Sequence, residues 1–273
     1  QPADESARKM RSSCDSITRW QADSATYTLQ SSSINSGQSN FSPVWYKDGI
    51  VFVSDRTPGK GSTKTYQWTG RPFLDLYYSK DNGKGNYGAP ELLKGELNGI
   101  YHEGPASFSS KGDTVYFTRN TYVARKVKKS DDDVVILKIC QGIKEDSTFR
   151  FITDFPYDNA DYSLGHPSLS KDGNTLYFVS DMPGGQGGTD VYRCKKENGA
   201  WSKPENLGPT VNSPNNELFP MSFQDSILYF SSEGHYGMGG LDVFSSTQSE
   251  GSWSRPQNMG YPLNTSYDDF GIA

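Results

Sequence analysis

Few residues in this chain have the type and spacing for chemistry. Three histidines, His102, His166 and His235, fall at non-equivalent places, and no two share ligand spacing on one strand or helix. Three cysteines, Cys14, Cys140 and Cys194, show neither zinc-ligand spacing nor a disulfide framework. No Ser-His-Asp or Cys-His set stands out. The glycine-rich stretches Pro183–Gly188 and Gly234–Gly240 sit between strands and open no helix, so turns are expected there, not phosphate cradles. Asp75, Asp190 and Asp242 recur at one place in successive repeats. Recurrence points to a structural task, acceptance of loop N–H groups. One sure carboxylate per loop falls short of the converging oxygens that calcium wants. No catalytic residue, metal or cofactor is therefore expected, and the chain reads as not an enzyme.

A subtler set lies three residues before each repeat's anchor position: Asn40, His102, Leu164, Glu217 and Asp269, with Glu103, Asp161 and Asp268 nearby. If the linkers between repeats share one face, these side chains line the mouth of a central channel. An acidic mouth favours cations or a basic peptide. The expected partner-binding set is Asn40, His102, Glu103, Asp161, Glu217, Asp268 and Asp269. Carboxylates around a channel also keep open a glycan-binding or glycan-cleaving alternative.

The elements that would position these residues come from internal repetition. Trp201-Ser-Lys-Pro-Glu-Asn-Leu-Gly208 parallels Trp253-Ser-Arg-Pro-Gln-Asn-Met-Gly260, and Val211-Asn-Ser parallels Leu263-Asn-Thr. Pro43, Pro105, Pro167 and Pro220, then Ile272, take equivalent places at spacings of 62, 62, 53 and 52 residues. Each proline precedes an aromatic-rich strand: Ile50-Val-Phe52, Val115-Tyr-Phe117, Leu176-Tyr-Phe178 and Leu228-Tyr-Phe230. A third strand is expected at Asp75-Leu-Tyr77, Asp133-Val-Val135, Asp190-Val-Tyr192 and Asp242-Val-Phe244. Three of the four units show a fourth strand. Blade two shows none, which leaves its outer edge undefined.

Four short strands per repeat specify a β-propeller, because one twisted sheet cannot cover both its faces alone. The fold class expected is all-β: four full blades at about 40–101, 102–163, 164–216 and 217–268, with part of a fifth split between 27–36 and 269–273. A short helical segment precedes the propeller within residues 1–26, with Ala3, Ala7, Met10, Cys14 and Ile17 on one face. Residues 54–74, 119–133 and 141–148 read as enlarged loops, where Tyr66, Trp68 and Phe73 are candidate contact aromatics. The split blade also predicts a natural chain that runs past Ala273.

Composition agrees. Aromatics are 13% and glycines number 28, which suits short strands joined by tight turns. The net charge of −5 lacks the basic footprint of a nucleic-acid binder. The one basic block, Arg125 to Lys129, is followed at once by Asp131–Asp133 and reads as a solvated hairpin tip. No apolar run reaches the roughly 18 residues of a membrane-spanning helix, so no direct membrane insertion is expected.

Two repeats carry a family resemblance. Ser180-Asp-Met-Pro-Gly-Gly-Gln-Gly-Gly-Thr-Asp-Val-Tyr192 with Trp201…Gly208, and Ser232-Glu-Gly-His-Tyr-Gly-Met-Gly-Gly-Leu-Asp-Val-Phe244 with Trp253…Gly260, resemble TolB-type WD40-like propeller repeats. They are similar to the variety found in OmpA-family envelope proteins of Bacteroidetes, among them a component of the type IX secretion system. The resemblance implies an interaction scaffold at the periplasmic side of the outer membrane. Its partners would be other envelope or secretion-system proteins, or a peptide segment at the propeller face, with peptidoglycan reached only through other domains. A TolB-like periplasmic adaptor is the variant reading.

Overall fold

The computed structural model describes residues 5–22, 28–57, 65–123, 126–127, 129 and 135–273. Expected features at Ala3, Tyr27, Arg125, Lys128 and Asp131–Asp133 lie outside them. Among the described residues the chain forms one helix, Glu5–Gln21, and then four antiparallel sheets arranged as propeller blades, with two small two-stranded pairs beside them, Thr65–Tyr66 with Arg71–Pro72 and Tyr122–Val123 with Lys126–Val127.

Blade one has its inner strand at Asn40–Tyr46, then Gly49–Ser54, Asp75–Lys80 and an outer Glu91–Leu92. Blade three runs Leu164–Leu169, Thr175–Ser180 and Asp190–Glu197, with Glu205–Asn206 outermost. Blade four repeats that plan with Glu217–Phe223, Ile227–Ser232, Asp242–Ser249 and Gln257–Asn258.

Blade two corrects one expectation and fills in another. Its third strand is Leu137–Glu145, paired along its length with Thr114–Asn120, and not Asp133-Val-Val135. Val135 makes only an isolated bridge to Lys129. Its outer strand, left undefined by the sequence, is Thr148–Asp154 and spans seven residues. The stretch 141–148 is therefore sheet and turn, not an inserted loop.

Strand alternation builds the interfaces between blades. On the second strand of blade two, Val115 and Phe117 face Val51, Val53 and Leu76 of blade one. The intervening Tyr116 faces Leu176 and Phe178 of blade three. Tyr177 and Val179, one step out of phase, meet Leu228 and Phe230 of blade four. Phe117, Phe178 and Phe230 are each at most 1% exposed, and burial of a side chain of that size stabilises the fold by about 1.5–3 kcal/mol. Ile34, from the segment after the helix, packs on Ile50, Phe52 and Tyr77 on the other face of blade one.

Every inner strand carries a bulge. Pairing with the second strand skips between Phe41 and Val44, Glu103 and Ala106, Gly165 and Ser168, and Leu218 and Met221. Each anchor proline sits inside its bulge, where its missing N–H leaves no ladder bond unmade. The preceding residue is left-handed in three blades: Ser42 at φ 48°, His166 at 50° and Phe219 at 51°. Gly271, before Ile272, repeats this at 73°. Residues 269–273 thus continue the inner-strand pattern beside blade one. Phe270 lies 4.7 Å from Phe219 and 5.9 Å from Phe41, ring to ring.

Candidate functional site

The linkers between blades explain most of the residues singled out from sequence. Each linker after blades one, three and four holds an asparagine that clamps the third strand just crossed. Asn98 Oδ1 accepts from the Leu76 N–H at 2.7 Å, and its Nδ2 donates to the Leu76 carbonyl at 3.1 Å. Asn212 does the same to Val191, and Asn264 to Val243. Such a pair extends the sheet by side chain where no further strand fits.

Five residues after each clamp comes an acid. Glu103 accepts from the Gly99 N–H at 2.9 Å, Glu217 from Ser213 at 2.8 Å and Asp269 from Thr265 at 2.5 Å. Asn40, five after Asn35, donates to the Ser36 hydroxyl at 3.2 Å. These four side chains brace the linker as it turns into the inner strand.

That placement settles the geometry of the expected mouth. Glu103 and Glu217 are fully buried. Glu103 pairs with Arg119 at 2.9 Å, while burial pushes its carboxyl up to about 8 against the pull of that guanidinium. Burial also raises Glu217, opposed by donation from the Ser213 and Ser232 hydroxyls at 2.5 and 2.6 Å. His102 accepts from the Leu74 N–H at 3.0 Å, with Tyr66 and Phe73 each 4.8 Å away, and burial lowers its basicity. Asp268 is exposed and caps the Leu241 N–H. Asp161 is exposed and reaches none of the others by hydrogen bond among the described residues. The set forms a series of separate linker contacts, and none of its members lines the axial cavity.

The recurrent Asp190 and Asp242 take loop N–H groups as expected. Asp190 accepts from Gln186 and Gly187, and Asp242 from Met238 and Gly239. The glycine-rich stretches are close-packed turns. A Cβ on Gly187 would lie 2.3 Å from the Asn215 carbonyl, and one on Gly239 2.0 Å from that of Tyr267. Of the aromatics expected at the enlarged loop, Tyr66 and Phe73 cover His102, and only Trp68 stands out, at 88% exposure. Cys140 and Cys194 are buried, and burial pushes the Cys194 thiol up to about 12. No cluster of three metal-ligating side chains occurs among the described residues.

The axis itself holds a cavity of about 420 Å3, within the size range of ligand sites. All four inner strands and residues 271–273 line it. Its walls are the anchor prolines, Ala106, Met221 and Ile272 with one serine from each blade, Ser42, Ser107, Ser168 and Ser222, and Trp45 and Phe223 are exposed at 56% and 44%. Among the described residues no Asp, Glu, Lys or Arg side chain reaches it. His166, the imidazole on the wall, stacks on Phe219 at 4.1 Å, and burial lowers it to about 4, so it is neutral at pH 7. Ser42 is 9% exposed, and its hydroxyl has no hydrogen-bond partner among the described residues. Sequence reading missed these residues, although they flank the anchor prolines it had aligned.

No protein-family model matches this sequence, and no curated protein does. Solved structures show likeness in fold. A thermostable family-43 glycoside hydrolase is 10% identical, with TM-score 0.46 over 85% of this chain and 77% of that one. A protein of unknown function from Dyadobacter fermentans is 10% identical, with TM-score 0.44 over 85% and 86%. A puromycin-hydrolyzing peptidase of Mycobacterium tuberculosis is 15% identical, with TM-score 0.42 over 82% and 31%, so the chain spans about a third of that enzyme's length. At such identities the likeness concerns fold alone. It nevertheless corrects the expectation of a chain that is not an enzyme. Structures of this fold include hydrolases, and repeat regularity gives no ground for excluding catalysis.

Proposed function

We propose that this chain is an interaction propeller of the bacterial cell envelope, whose axial cavity receives an uncharged, largely apolar segment of a partner protein. The carrying observation is the lining: apolar residues and one uncharged serine from every blade, two exposed aromatics and, among the described residues, no charged side chain. Desolvating a charge there would cost far more than the walls return, so the cavity selects against charged segments. Exposed Trp45 and Phe223 suit interface anchors, which are commonly aromatic. The basic peptide expected from an acidic mouth does not suit this lining. The envelope setting, including a secretion complex such as type IX or a TolB-like adaptor role, is supported by the repeat resemblance.

The test is selection of displayed peptides on the purified chain, followed by capture from envelope extracts. Apolar, uncharged peptides should be enriched, and they should compete with whatever envelope protein is captured. Met221→Glu, which places a carboxylate in the cavity, and the Trp45→Ala/Phe223→Ala pair should each weaken the selected peptides at least tenfold. Enrichment of charged peptides, or binding indifferent to these variants, would refute the reading.

A further inference from the structure

A second concave site, unrelated to the axial cavity, lies between the helix Glu5–Gln21 and blades three and four. It is a groove of about 1160 Å3. The helix is tied to its far wall, because the Tyr261 N–H donates to the Trp20 carbonyl at 3.0 Å. Gly260 permits that approach: it is left-handed at φ 68°, and a Cβ there would come within 2.9 Å of the same carbonyl.

The charge of this groove runs against that of the chain. The sequence carries 32 acidic residues against 27 Lys and Arg. Yet, among the described residues, the lining contains Arg19 and Arg255 and no carboxylate. Both arginines are exposed, and neither has an acidic partner among the described residues. Two unpaired guanidinium forks facing one groove are suited to carboxylates, which they bind in bidentate geometry.

The rest of the wall narrows the ligand. Trp20 is half-buried and Tyr236 is 44% exposed, so both offer apolar ring surface beside polar groups. The side-chain amides of Gln186 and Gln257 are without partners among the described residues. An amide both donates and accepts, as a sugar hydroxyl does. An acidic peptide is less well served. The outer strand bordering the groove is only Gln257–Asn258, and Pro256 before it has no N–H, so there is little edge for strand addition.

We propose that this groove binds an acidic oligosaccharide, a chain of hexuronate units, with Arg19 and Arg255 on its carboxylates and Trp20 and Tyr236 against its rings. Binding here does not depend on occupancy of the axial cavity.

Calorimetric titration of the whole chain with a mannuronic acid tetramer tests this, with a neutral mannose tetramer and a hexaglutamate peptide as comparisons. The uronate tetramer should bind, and raising the salt should weaken it. The neutral tetramer and the peptide should bind at least tenfold more weakly. Arg19→Ala with Arg255→Ala should cost at least tenfold, with unchanged melting temperature, and Arg255→Lys should fall between. Trp45→Ala should leave the affinity unchanged, which separates this site from the axial one. Absence of binding by the uronate tetramer, equal binding by either comparison ligand, or undiminished binding by the double variant would overturn the proposal.

Discussion

At the scale of single residues, the linker clamp has one exception. After blade two the equivalent place holds Asp158, whose Oδ1 accepts from the Ile139 N–H at 3.1 Å. In the other linkers an amide nitrogen donates to the carbonyl of the same strand residue. Asp158 puts an oxygen in that place, and its Oδ2 is buried without a partner among the described residues. Only a protonated carboxyl could donate as the amide does. Burial accordingly raises Asp158 to about 7. Its contribution to stability is full below the unfolded value near 4 and is lost as pH rises through about 7. Asp158→Asn restores the donor at every pH. Urea unfolding should find the variant more stable than the parent at pH 8 by on the order of 1–3 kcal/mol, with the gain much reduced at pH 4.5. An equal effect at both values would refute the assignment. Of the clamp, only the parallel of Val211-Asn-Ser with Leu263-Asn-Thr was legible in the sequence, with no role for Asn212 or Asn264, while the acids five residues on from Asn98, Asn212 and Asn264 stood out. Those acids suggested a channel mouth because their one-dimensional spacing shows recurrence but not which way a side chain turns. The argument from recurrence that correctly assigned Asp190 and Asp242 to structure applies equally to Glu103, Glu217 and Asp269.

At the scale of elements, the inner-strand bulge shapes the cavity and stores strain. Ser42, His166 and Phe219 adopt left-handed backbone that non-glycine residues seldom take, and Gly271 holds the same place without penalty. Phe219 is compensated by stacking with His166 and Phe270. Ser42 has no such return, since its hydroxyl is buried and unpaired among the described residues. Ser42→Gly removes both the strain and the orphan group. Chemical denaturation should show a gain of about 1 kcal/mol, less whatever glycine adds to the unfolded chain's freedom. A loss of more than about 1 kcal/mol would mean that the hydroxyl has a native partner. The anchor prolines announced these strands because proline in a sheet is confined to bulges and edges. Blade two was harder to read for a physical reason. Its third strand, Leu137–Glu145, lacks the aspartate that opens the third strand in the other blades, and Cys140 fills the core where the others place an aromatic. A side-chain volume change that packing tolerates erases the pattern by which the strand would be recognised.

At the scale of the whole molecule, the blades are not equally secure. Blades three and four are held by asparagine clamps, and the one carboxyl there that burial raises, Glu217, is offset by donation from the Ser213 and Ser232 hydroxyls. Blade two is bordered by three carboxyls, Glu103 buried and Asp75 and Asp158 half-buried, all displaced upward by desolvation: Asp75 to about 6, Asp158 to about 7 and Glu103 to about 8. Glu103 also depends on Arg119, whose guanidinium reaches the Leu97 carbonyl at 2.6 Å and so ties the first linker to the second blade. Each raised carboxyl binds its proton more tightly folded than unfolded, so each contributes most below pH 4 and loses that contribution as pH climbs through 6 to 8. Three such groups at one blade make it the first unit to open as the solution becomes alkaline, since local opening follows the least stable contacts. Hydrogen exchange at pH 5.5 and 8.5, corrected for intrinsic rates, should show protection falling in Thr114–Asn120 and Leu137–Glu145 well before Thr175–Ser180 or Ile227–Ser232. Uniform loss across the four blades would show instead that the ring opens as a single unit. Selective loss would mean that the divergence which obscured blade two in the sequence also makes it the weak point of the folded ring, with the axial cavity losing one wall first.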